Sequence, residues 1–195
     1  MQRKIGNDYC LVTGIVTESF KKNANNVDIK RPCINIKMFH EDGMGQPHFA
    51  DICVLCPGGV ISKIAVRYKP GDIIDIQGRV CYDNREGIYI EANTIQLVYD
   101  SKGDRLIDSI SKILQLPQIL NIIFLSGTQR YIDGEDYIVV HRYNLSKGDL
   151  TNKDTIPLLS DNHCDNKKVL ITGRIGFTDK LCIIADETWN RQDEE

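Results

Sequence analysis

The chain has 195 residues, with 24 Lys and Arg against 27 Asp and Glu for a formal charge of −3. At 42% apolar and 26% charged it has an average globular composition and enough length for one large or two small domains, which excludes wholesale disorder. The longest apolar runs, such as 119–125, are too short to span a bilayer, and Met1-Gln-Arg-Lys-Ile has no apolar signal core behind it, so neither a membrane nor a secreted protein is expected.

Residues 9–17 alternate as a half-buried strand does, with Gly14 inside; an interior glycine marks a bend of the kind found at the corner of a small closed barrel. A loop follows over 20–31, with four cations and one acid. Residues 33–40 and 49–55 are the second and third strands. A short helix is expected over 60–68, with Ile61, Ile64 and Ala65 on one side. Strands over 72–82 and 87–98 complete the set. Three strands, a helix and two strands predict a five-stranded barrel of the oligonucleotide/oligosaccharide-binding (OB) type. In 101–117, Leu106, Ile110, Ile113 and Leu114 recur at helical spacing between Gly103-Asp104 and Pro117, which predicts an amphipathic linker helix packed against its neighbours.

The order then repeats. Cys10-Leu-Val-Thr-Gly14 resembles Ile123-Phe-Leu-Ser-Gly127, and Gly78-Arg79 in the fourth strand matches Gly173-Arg174. Setting Ala92 against Ala185 aligns the fifth strands. The second copy reads as strands over 119–128, 136–144, 155–159, 167–176 and 180–187, without room for a helix. The expected fold is therefore all-β, with two OB barrels joined by an amphipathic helix: 1–100, a linker over 101–118, and a reduced second barrel over 119–195.

Alternation sorts the faces of the first barrel. Ile34, Ile36, Met38, Ala50, Ile52, Val54, Ile74, Ile76, Val80, Ile88 and Ile90 point inward. Lys37, Phe39, Phe49, Gln77, Arg79 and Tyr89 are left outside, with Tyr82 beside the 83–86 loop. Exposed rings stack on unpaired bases and cations neutralise phosphates, so this set suits single-stranded nucleic acid. Lys21, Lys22, Lys30 and Arg31 bring further cations on a loop that flanks the ligand groove in OB barrels. The plainer alternative is that the second domain, the linker helix or another subunit covers the rings.

The stretch Pro47-His-Phe-Ala-Asp-Ile-Cys-Val-Leu, followed by Ile61-Ser-Lys-Ile-Ala-Val-Arg-Tyr68-Lys-Pro-Gly71 and Ile74-Asp-Ile-Gln-Gly78-Arg-Val, resembles bacterial single-stranded DNA-binding proteins. The resemblance covers about the first 100 residues. It implies an OB fold, single-stranded DNA as partner, and stacking by Phe49, with Phe39 and Tyr82 near other stacking positions. Three departures stand out: the first copy lacks tryptophan, the tail lacks an acidic Pro-Phe ending, and the barrel is doubled. The first removes the family's typical stacking residue, and the second leaves recruitment of replication or recombination proteins without its usual device; the third would allow a homodimer to assemble four barrels.

No catalytic motif is present, and no cofactor is implied. Seven cysteines without framework spacing read as buried thiols in a reducing cytoplasm. Cys53-Val-Leu-Cys56 places its sulfurs on opposite faces of a strand, poor geometry for zinc. His40 and His48 flank a loop expected to be a solvated tip, and His141-Arg142-Tyr143 reads as a surface strip. The expected function is non-sequence-specific binding of single-stranded DNA in replication, recombination or plasmid and phage DNA handling; alternatives are a protein-interaction scaffold and single-stranded RNA binding. The charge of −3 does not oppose this: residues 1–100 hold 12 cations and 12 anions, and the deficit lies in the 12 cations against 15 anions of the remainder.

Overall fold

The computed structural model describes residues 8–21, 32–41, 46–57, 59–84, 87–144 and 149–190. The first five strands are β1 (Tyr9–Lys21), β2 (Cys33–Glu41), β3 (Pro47–Leu55), β4 (Ile73–Asp83) and β5 (Gly87–Tyr99), with helix α1 (Gly59–Ala65) between β3 and β4. Their pairings run β2-β3-β5-β4-β1 and close through β1 on β2, with β3 and β5 parallel and the rest antiparallel. This is the closed five-stranded barrel that the element order predicts. The inward set from the alternation is the core: Ile34, Ile36, Met38, Ile52, Val54, Ile74, Ile76, Val80, Ile88 and Ile90 are all buried.

Helix α2 (Leu106–Ile113) is shorter than the helix expected over 101–117. Lys102 and Gly103 have φ of 50° and 95°, outside right-handed helix geometry. The Ser101 N–H and hydroxyl instead donate to Asp72 Oδ1 at 3.0 and 2.9 Å. The helix opens where the Arg105 N–H donates to the Asp108 carboxylate at 3.2 Å. Ile113 then packs with Ile15 and Ile73 in a second apolar cluster, joined by Phe39, Phe49, Tyr99, Ile110, Leu116 and Ile119.

Five further strands follow: β6 (Asn121–Ile132), β7 (Glu135–Asn144), β8 (Asp149–Leu159), β9 (Lys167–Phe177) and β10 (Leu181–Asn190). Their pairing order is β6-β7-β8-β10-β9, with β9 back on β6. The correspondence extends to irregularities. In β4–β5, Gly78 faces Ala92 but Gln77 faces Thr94, so Asn93 is an extra residue. In β9–β10, Gly173 faces Ala185 but Thr172 faces Glu187, leaving Asp186 extra. The two glycines are needed for one reason: a Cβ on Gly78 would collide with the Glu91 carbonyl oxygen, and one on Gly173 with that of Ile184.

The halves share a ladder. The start of β1 pairs with the start of β6 antiparallel, as Tyr9↔Phe124, Cys10↔Ile123, Leu11↔Ile122 and Val12↔Asn121. Because Cys10 and Ile123 are matching residues of the repeat, this short ladder has a local pseudo-two-fold axis at its centre.

Candidate nucleic-acid interface

Opposed pairs on β2 and β3 build the outward face of this hairpin: Asn35↔Cys53, Lys37↔Asp51 and Phe39↔Phe49. The two phenylalanine rings meet edge to face, with centroids 5.8 Å apart and planes at 71°, the arrangement the ring quadrupoles favour. Both are half-buried because one side of each packs on the Ile15–Ile73–Ile113 cluster. The linker helix therefore covers part of the pair. Lys37 Nζ lies 3.0 and 3.1 Å from the two Asp51 oxygens. The Asp51 side chain is 71% exposed and that of Lys37 29%; with the carboxylate in solvent the pair is worth little, so phosphate can replace it.

The outward row continues across the sheet. Tyr89 on β5 faces Cys53 on one side and Cys81 on the other. Its hydroxyl pKa is raised, first by burial and then by Cys81 and Asp154. Burial also pushes the Cys81 thiol up to about 11. Arg79 donates through Nε and Nη2 to Glu91 at 3.1 and 2.6 Å. The Tyr82 ring packs on the core, while its N–H donates to Asp154 at 3.4 Å. The structure thus brings Lys37, Phe39 and Phe49 together on the hairpin, and gathers Arg79, Tyr82 and Tyr89 where the second half packs on β4 and β5. Lys22, Lys30 and Arg31 lie outside the described residues. Lys21 ends β1, and its side chain is likewise outside them.

Two seams join the halves, and matched registers relate them. His40 corresponds to Arg142, Ala50 to Asp154, Val80 to Ile175, Tyr82 to Phe177 and Asp8 to Asn121. One seam is closed. Arg142, expected on the surface, is only 8% exposed: its guanidinium bonds Asp154 at 2.6 Å, donates to the Val80 carbonyl and stands 3.7 Å from Asp8. It is buried because the first barrel covers it.

The other seam is open. Asn121 satisfies both backbone groups of Ile175, at 2.8 and 2.9 Å, while His40 and Ala50 stand where Arg142 and Asp154 would be. Two clefts result. One, of about 700 Å³, lies between His40, His48, Phe49 and the Phe177–Leu181 hairpin turn. The other, of about 560 Å³, lies between Phe39, His40, the linker residues Leu116 to Ile119, and Arg174. His40 borders both. It is not part of a solvated loop tip: β2 and β3 extend further than the alternation suggests, and it is 6% exposed with its ring stacked 5.5 Å from His48. Only the repeat could have drawn attention to Phe177, as the counterpart of Tyr82. Among the described residues no group of His, Cys, Asp and Glu forms a metal-binding set; Cys56 enters the core whereas Cys53 lies in the outward row.

No protein-family model and no curated protein matches the sequence. Solved structures do. A deletion mutant of the single-stranded DNA binding protein from Thermus aquaticus superposes with a TM-score of 0.58 at 13% identity, over 97% of this chain and 97% of that one. The wild-type Thermus aquaticus protein gives 0.56 at 12% identity, over 97% and 95%. A small single-stranded DNA-binding protein from Streptomyces coelicolor aligns with 48% of this chain and 95% of its own, at 17% identity and a TM-score of 0.36. The chain shares its fold, along nearly its whole length, with the Thermus aquaticus protein.

Proposed function

We propose that this chain binds single-stranded DNA without sequence preference, by base stacking on Phe39 and Phe49 and phosphate neutralisation by Lys37 and the cations at 21–31. The observation that carries this reading is the edge-to-face phenylalanine pair beside a loosely held lysine, on the outward face of a closed five-stranded barrel. Likeness in fold to the Thermus aquaticus protein supports it. Arg79, Tyr82 and Tyr89 extend the surface toward the closed seam. The domains we infer are two OB units, 1–100 and 119–195, with 101–118 as linker. Replication, recombination or plasmid and phage DNA handling are the settings in which such an activity serves. Seven free thiols, six of them buried, support a reducing cytoplasm. Among the described residues no helix is long and apolar enough to cross a membrane. The outward apolar residues Ile122 and Phe124, 36% and 39% exposed, offer a face for a homodimer.

The test is a titration with fluorescent oligothymidine at rising salt, with light scattering for mass. We expect affinity to fall steeply with salt, and Phe49→Ala to weaken binding by about 1–3 kcal/mol, the usual worth of one stacked base. Absence of binding at low salt overturns the proposal. Competition between DNA and RNA of one sequence decides whether RNA is the ligand, and a Phe49→Ala chain that binds normally but changes mass would make the rings a protein interface.

A further inference from the structure

The two seams between the halves are equivalent by the repeat but not in chemistry, and this asymmetry carries an inference that rests on the reading above. At the closed seam, the Arg142 guanidinium ties Asp154 and Asp8 of its neighbourhood to the Val80 carbonyl of β4. Those contacts fill the junction with a buried guanidinium, 8% exposed. At the open seam, the corresponding positions hold His40 and Ala50, and Asn121 has withdrawn onto the backbone of Ile175. The Phe177 ring, in the place of Tyr82, is 53% exposed and walls the 700 Å³ cleft opposite Phe49 and His48.

We propose that the open seam is the route by which single-stranded nucleic acid crosses from the first barrel to the second half, with a base held in the cleft between Phe177 and the Phe49–His48 wall.

Three observations support this occupant. The cleft is continuous with the stacking pair: Phe49 lines one cleft, Phe39 lines the other, and His40 borders both. Its volume falls within the range of about 300–1,000 Å³ typical of small-ligand clefts. Its walls offer flat rings, which take any base by its π-face. Arg174 stands at the far end of the second cleft, half-exposed and paired with Asp186; exchange of that carboxylate for phosphate would give the strand a cation as it reaches β9.

The test compares Phe177→Ala with Tyr131→Ala in the full chain, against oligothymidines of increasing length. Tyr131 is a ring of like exposure, 52%, near the end of β6 and not among the residues lining either cleft. Phe177→Ala is expected to lower affinity about fivefold or more for oligonucleotides long enough to leave the first barrel, and to leave the shortest bound species unchanged. Tyr131→Ala should alter neither. Equal affinity of Phe177→Ala and the parent chain at every length overturns the crossing while leaving first-barrel binding intact. A change of mass in Phe177→Ala with unaltered affinity overturns it in favour of contact between copies. No binding by the parent chain overturns the underlying reading and the crossing with it.

Discussion

Asp8 holds a carboxyl whose Oδ2 lies 3.7 Å from Arg142 and whose buried Oδ1 has no hydrogen-bond partner among the described residues. Burial raises its pKa from 3.8 to about 6, against the opposing pull of Arg142 and Arg79 and with the help of Asp154. A folded-state pKa above the unfolded one means that the native state gains stability from the proton. That gain is complete below about pH 4 and is lost as pH rises through about 6. Asp8→Asn should therefore stabilise the protein at pH 7.5 by about 2–3 kcal/mol, a two-unit shift at 1.36 kcal/mol each, and by nothing near pH 3.5. Denaturant melts at both pH values check this; equal gains at both would contradict it. A second case at the same scale is Phe49, half-buried on the outward face of β3 with one side packed on the cluster that includes Ile113 of α2. Its outward position is legible from alternation alone. The covering is not, because it depends on Ile110 and Ile113, some sixty residues away.

At the scale of elements, the strands of the first barrel are legible because inward aliphatics alternate cleanly with polar residues in β2, β4 and β5. β8 is not: its first half, Asp-Leu-Thr-Asn-Lys-Asp, has few apolar residues, and Pro157 weakens the remainder. It forms because β7 supplies a partner along its length, from Asn144↔Asp149 to Asp136↔Leu158. The repeated glycines give the sharpest element-level expectation. A methyl on Gly78 would strike the backbone carbonyl of Glu91, which cannot rotate away, whereas one on Gly14 meets the side chain of Ile36. Gly78→Ala should cost about 1–3 kcal/mol as strands β4 and β5 are forced apart, and Gly14→Ala less. Chemical denaturation of the two variants gives the comparison.

At the scale of the molecule, the repeat is legible in Gly14, Gly78, Gly127 and Gly173, but the unlike seams are not. Arg142 reads as one more cation on a polar strand until the first barrel is placed over it. Once there, it is the only cation directly contacting Asp8 and Asp154 among the described contacts, and removing it leaves two largely covered carboxylates, 10% and 15% exposed, without a cation. Arg142→Ala should destabilise the chain by about 3–5 kcal/mol, with hydrogen exchange rising first at the β4 backbone around Val80. Unchanged protection there would mean that the guanidinium does not hold the seam.

The short ladder between β1 and β6 has a consequence beyond joining the halves. Strands meeting at matched residues make the contact that two identical chains make about a two-fold axis, and in such a pair every substitution lands twice. A lock at one seam would then be a lock at both. With both copies written in one polypeptide, that rule lapses. One junction can specialise for strength and the other for access, a division of labour closed to any symmetric pair.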